Sequence, residues 1–339
     1  MSEATLLKTT KPKKKKKWYG RDFELLFMVG IGVAFLVIFA YLPIAGITLA
    51  FKDGNKRLNI LAGLIYSDWT INNFVELFGD AEFWATFKNT MQINLLFILF
   101  NFPAPIIFAL LINEVRHKAY KTTIQTICNF PHFLSWVVYG GIVIALTDPD
   151  TGIMNPILEL FGLSSAENPI DLNLPQYFYA KIIIASMIKG VGWGSIIYTA
   201  SIAGIDPTLY EAAEMDGANR LQKALYVTLP GIKSTIMVFL LLQISRITNN
   251  SFEQFYVFQT TANLSRTRVL STYMYSLGFT YRNYSTATAL GLFEGIISIT
   301  LLTSLNFVSK KTTGESLYWW LRLRKKALPA VSKNLISQM

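Results

Sequence analysis

LLFMVGIGVAFLVIFAYLPIAGITLAF, residues 25–51, decides the class of the fold. Its 27 residues include no Asp, Glu, Lys, Arg or His. About 20 apolar residues cross the hydrocarbon core of a bilayer as a helix, so this run crosses with some tilt. A basic stretch from Lys11 to Lys17 precedes it and gives it the outline of a secretory signal. Such signals carry an apolar core of about 7–15 residues. The run exceeds that, and the expectation is a retained first span.

Outward from it, further stretches have the same character. Asn89–Asn113 and Thr122–Thr147 lack Asp, Glu, Lys and Arg altogether. A fourth stretch over about 178–205 holds Lys181 and Lys189, a fifth over about 232–252 holds Arg246, and a sixth over about 285–309 holds Glu294. Pro43, Pro103, Pro105 and Pro131 would break helices in water but are tolerated in membrane bundles. The expected fold is an all-α integral membrane protein with about six transmembrane helices. Residues 1–22 form a basic tail, 23–309 the membrane domain and 310–339 a second tail. Composition agrees: of 339 residues 52% are hydrophobic and only 15% charged, against about 25% charged in soluble domains.

Lys and Arg excess marks the cytoplasmic side. With the N-terminus inside, 21 of the 31 Lys and Arg fall on the cytoplasmic side and seven outside. Both termini are therefore expected inside. The outer loop 147–175 carries Asp148, Asp150, Glu159, Glu167 and Asp171 instead. The net charge of +10 sits mainly at the two ends beside apolar spans, as expected of flanks on anionic lipid. That placement argues against nucleic-acid binding. The single cysteine, Cys128, excludes an internal disulfide, and the two histidines, His117 and His132, exclude a multi-His metal centre.

The segment that carries function is 205–231, IDPTLYEAAEMDGANRLQKALYVTLPG. Asp206 followed by Pro207 is a good helix start, an N-cap acceptor and then a proline where no N–H is needed. Gly217 permits a sharp turn, and Leu229-Pro230 leads into the fifth span. Glu211-Ala212-Ala213, Gly217 and Leu229-Pro230 resemble the EAA motif of ABC importer permeases, with Val227 where the family usually has Ile. In that family the loop forms a coupling helix that docks on the ATPase subunit. The resemblance implies that Glu211, Ala212, Ala213, Asp216, Gly217, Leu229 and Pro230 engage an ATPase. YLPIAG (41–46), PAPIIFALLINEV (103–115), QTICNFPHFLSWVV (125–138), IKGVGWGSIIYTASIAGIDPTLYEAAEMDGA (188–218) and GESLY (314–318) are similar to LplB-type polysaccharide permeases. Implied are a type I importer fold, a second and different permease, two ATPase subunits, an external solute-binding protein and an oligosaccharide substrate. The chain has no Gly-x-x-x-x-Gly-Lys-Ser/Thr phosphate loop, Gly231-Ile232-Lys233-Ser234 being only a fragment of one. ATP and Mg are therefore expected on partner subunits, with no cofactor or metal held here.

Ionisable residues inside spans are functional candidates. Lys189, among Gly190, Gly192 and Gly194, reads first as structural. Arg246 opens a polar stretch with Asn249, Asn250, Glu253 and Gln254, beside Phe252 and Tyr256, which suits sugar binding. The candidate substrate path is Trp193, Arg246, Asn249, Asn250, Glu253, Gln254 and Tyr256. A competing reading pairs Arg246 with Glu294 as an intramembrane ion pair. An enzyme has no support from Gly-x-Ser-x-Gly, His-Glu-x-x-His or paired Asp signatures, and a secondary transporter would need no ATPase.

Overall fold

The computed structural model describes residues 20–53, 65–165 and 168–312. The Lys11–Lys17 cluster, Glu167, residues 314–318 and nearly all of the 310–339 tail lie outside the described residues. The described chain is helical, with two isolated bridges, Lys52 with Trp69 and Ser165 with Asn168, in place of any strand. Four helices have the length and apolarity to cross a membrane: Phe23–Phe51, Ala81–Asn113, Pro175–Ala203 and Tyr284–Lys311. Two bent pairs bring the number of spans to six if each counts as one. Lys118–Phe133 meets Trp136–Leu146 at 103°, and Arg220–Gly231 meets Lys233–Ser245 at 65°.

The described residues up to Thr48 and those from Leu49 onward form two separate units. In the first, large apolar side chains from Phe23 to Ile47 are exposed, as on a helix that is hydrophobic all round. In the second, three clusters knit the spans. Ile93, Phe97, Phe178, Ile182 and Phe255 join the second and fourth spans to the short helix Phe252–Tyr256. Leu77, Phe83, Tyr273 and Leu290 join the second and sixth to the helix Leu270–Tyr275. Ile106, Ala109, Tyr198, Ile202 and Ile232 close the spans around the 205–231 loop.

Three prolines shape their helices in one way. Ahead of Pro43, Pro103 and Pro230 lie the wide turns Val37–Tyr41, Phe97–Asn101 and Ala224–Thr228. In each, the residue before the proline donates its N–H to a carbonyl five residues back: Leu42 to Val37, Phe102 to Phe97 and Leu229 to Ala224. Proline has no N–H and its ring collides with the carbonyl four residues behind. One extra residue in the turn moves that carbonyl aside and keeps the backbone paired without water.

Two expectations need correction. The third span is not one helix over 122–147, because Leu134 and Ser135 are extended (ψ 141° and 156°) and divide it. Pro131 tightens the chain into a short turn over Phe130–Phe133, and Ser135 restarts the helix by accepting the Val138 N–H at 3.3 Å. The fifth span ends at Ser245 rather than near 252, with Arg246 capping it in a non-helical conformation.

Candidate coupling loop and translocation path

The helix Pro207–Met215 follows the fourth span directly. Asp206 caps it by accepting the Thr208 N–H at 3.0 Å, and this backbone bond holds the Asp206 carboxyl below the usual carboxylate range. At the other end Gly217 adopts φ +76°. Its N–H donates to Glu214 and that of Ala218 to Ala213, the paired bonds that close a helix through a left-handed residue. Asn219 and Gln222 then exchange side-chain and backbone hydrogen bonds and start the return helix Arg220–Lys223.

Side chains brace this unit. Lys223 pairs with Glu214 at 3.2 Å, Arg220 reaches Glu114 at the end of the second span at 3.8 Å, and the Tyr210 and Thr228 hydroxyls meet at 3.0 Å. An added Cβ at Gly231 would lie 2.7 Å from Ile205, so the loop's two ends touch. Against this support, Glu211, Ala212, Asp216 and Gly217 are exposed, as are Leu209 and Met215. Ala213 is half-buried, Pro230 sits in the helix Leu229–Gly231, and Leu229 packs on the cluster that closes the spans.

Between the second, fourth and fifth spans is a cavity of about 320 Å³ lined by residues that include Asn101, Phe102, Trp193, Phe239 and Gln243. Trp193 is half exposed and stacks on His132, with centroids 4.5 Å apart and planes 3° from parallel. Buried Asn101 Oδ1 has no hydrogen-bond partner. Sequence reasoning missed Asn101 and Gln243; the signal was polar amides inside otherwise apolar runs.

The polar stretch after the fifth span divides. Arg246, Asn249, Glu253 and Tyr256 are exposed. Asn250 is buried and exchanges amide hydrogen bonds with Asn94 at 2.8 and 3.3 Å, while buried Gln254 donates to Ser186 at 2.6 Å. These two amides tie neighbouring segments together. Tyr256 stacks on Phe252, which packs on Tyr275, and Tyr275 stacks on Phe279. Arg246 and Glu294 form no ion pair. Glu294 is buried with Oε1 unpartnered, whereas Arg246 is exposed. Arg246 follows the last residue of the helix, in a non-helical conformation. Among the described residues no cluster could hold a metal ion.

Known proteins share this architecture. LplB of Bacillus subtilis is 38% identical over 300 residues, 88% of this chain and 92% of that protein. The Bacillus subtilis polygalacturonan/rhamnogalacturonan transport system permease YteP is 35% identical, over 87% and 90%. A bacterial ABC transporter involved in import of the acidic polysaccharide alginate superposes with TM-score 0.76 at 34% identity, over 86% of this chain and 97% of that one. The same kind of transporter, in complex with an alginate pentasaccharide-bound periplasmic protein, gives 0.77. Residues 101–311 match the family described as binding-protein-dependent transport system inner membrane component. The chain belongs to that family, the membrane-spanning permeases of ABC importers.

Proposed function

We propose that this chain is the permease subunit of an ATP-driven importer for oligosaccharides cut from complex acidic polysaccharides, and that it engages a separate ATPase through the 206–217 helix. The observation that carries this reading is the contrast within the loop. Its outer face is uncovered, while its ends are capped, braced to the second span and fused to the fourth. A short rigid element of that kind transmits a partner's closure to the spans as rigid-body movement. Exposed Ala212 lets a partner groove approach closely, with Glu211 and Asp216 available to basic groups there.

The charge distribution supports cytoplasmic termini and a loop on the ATPase side of the inner membrane. With no phosphate loop in the sequence, ATP and Mg belong to two ATPase subunits. A second, non-identical permease and an external solute-binding protein complete the assembly, and the alginate transporter's complex with a periplasmic protein supports the latter. The relatives' alginate and polygalacturonan or rhamnogalacturonan substrates support a uronide-containing oligosaccharide. Exposed Arg246 suits such a ligand, since a planar guanidinium grips a carboxylate with two bonds. Trp193, Asn249, Glu253 and Tyr256 complete the proposed path. The test is uptake of labelled trigalacturonate by cells carrying this chain with its partner permease, ATPases and solute-binding protein, with Gly217→Trp as the uncoupled control. Uptake that survives Gly217→Trp contradicts the coupling assignment.

A further inference from the structure

Lys189 lies in the middle of the fourth span, and its ammonium is buried against the break in the third. Nζ donates to the carbonyls of Pro131 at 2.9 Å, His132 at 3.1 Å and Leu134 at 2.5 Å. It also lies 5.3 Å from the Trp136 ring centre and 5.5 Å from that of Tyr139. An ammonium has three N–H donors and no more. All three are committed to carbonyls at the break, of which that of Pro131 also accepts the Leu134 N–H at 3.3 Å, at the C-terminal end of a helix where positive charge is favoured.

The same face of the fourth span holds both halves of the third. On one side of the break, a Cβ added at Gly192 would meet the Cys128 carbonyl at 2.3 Å, so the backbones approach as closely as glycine allows. Trp193, one turn beyond Lys189, stacks on His132. On the other side of the break, the Tyr139 hydroxyl donates to the Ala185 carbonyl at 2.8 Å. The fourth span runs straight into the coupling helix, whereas the third makes no bond to that helix in the hydrogen-bond and ion-pair network above.

We infer that Lys189 is a positioning residue for transport: it pins the broken third span to the fourth, so that loop movement carried by the fourth span, whose Trp193 lines the cavity and stacks on His132, moves the third span with it. The inference rests on the proposed coupling role, and it assigns Lys189 no contact with substrate. An intramembrane cation near a path for acidic sugars would otherwise be read as a substrate ligand.

The experiment uses the assembled transporter, chain with partner permease and ATPases, in a Cys128→Ser background. Spin labels are placed at Ile142→Cys and Ile184→Cys, exposed positions on the third and fourth spans. The 142–184 distance is read with and without vanadate trapping, and trigalacturonate uptake is read in parallel. In the parent the distance stays fixed on trapping. Lys189→Met broadens it and lowers kcat by about tenfold per assembled transporter, with KM held within about twofold, and Lys189→Arg recovers part of kcat. Should Lys189→Met not assemble, Lys189→Gln leaves a polar group there without the three-donor ammonium; a broadened distance with unchanged KM then carries the inference, and a parent-like distance overturns it. An unchanged distance in Lys189→Met overturns it as well. So does a KM that rises about tenfold for trigalacturonate but not for a neutral trisaccharide, since that marks a substrate contact. Failure of the coupling reading looks different: the parent assembly would neither bind the ATPases nor trap vanadate.

Discussion

The N–H of Ala218 donates to the carbonyl of Ala213 at 2.9 Å, across a Gly217 whose φ is +76°. This bond fixes the end of the Pro207–Met215 helix. It depends on a backbone conformation that costs other L-residues about 1–2 kcal/mol. Space is not the constraint, because an added Cβ at Gly217 meets nothing within 4 Å. Gly217→Trp should therefore insert normally yet lose ATPase docking and uptake. Gly217→Asn should keep most of both, since Asn visits this region readily. Equal uptake by Gly217→Trp and the parent contradicts the docking assignment.

Asp206 makes the other end of that helix sensitive to acid. Its folded-state carboxyl is held down by the Thr208 N–H, so its contribution is full above the unfolded value of about 3.9 and is lost as pH falls through the lower folded value. Protection of the Thr208 amide, its exchange relative to the intrinsic rate at each pH, should hold through neutral pH and fall only in that acid window. Asp206→Asn keeps an acceptor and should remove the acid step; a step that persists assigns it elsewhere.

Asn250 and Arg246 are four residues apart and should behave oppositely. Asn250→Ala breaks the buried exchange with Asn94, and stability should fall by about 1–3 kcal/mol, the cost of an orphaned polar group. Uptake per folded transporter should change little. Arg246→Ala removes an exposed side chain, so melting should be unaffected while uptake of uronides falls more than that of neutral sugars. The reverse pattern would exchange their roles.

Because Arg246 and Glu294 do not pair, their substitutions should be additive in stability. Arg246→Ala and Glu294→Gln combined should equal the separate changes within about 0.5 kcal/mol. A coupling energy well beyond that on a double-mutant cycle would restore the ion pair that the sequence suggests.

Apolar run length made the four long spanning helices and the two bent pairs legible, and Asp206, Pro207 and Gly217 marked the 207–215 helix at both ends. The break in the third span was not legible. Thr122–Thr147 carries no charge, and a proline in a membrane helix can be absorbed by a wide turn, as at Pro103, or can divide the span, as at Pro131. The choice depends on a partner for the carbonyls at the break, and Lys189 supplies it from 55 to 58 residues away in sequence. Arg246 was misplaced because hydropathy carried the fifth span through Thr248, Asn249 and Asn250. There Asn250 turns inward to Asn94, a long-range match that no local pattern contains.

The central claim, that this permease imports acidic oligosaccharides only when a separate ATPase acts on its 206–217 helix, meets its most direct test in proteoliposomes. Vesicles containing the chain, its partner permease and the ATPases, with the solute-binding protein outside and ATP inside, should accumulate labelled trigalacturonate. Accumulation should be absent without ATP, in vesicles holding this chain alone, and with Gly217→Trp. ATP-independent accumulation by the chain alone would contradict the account.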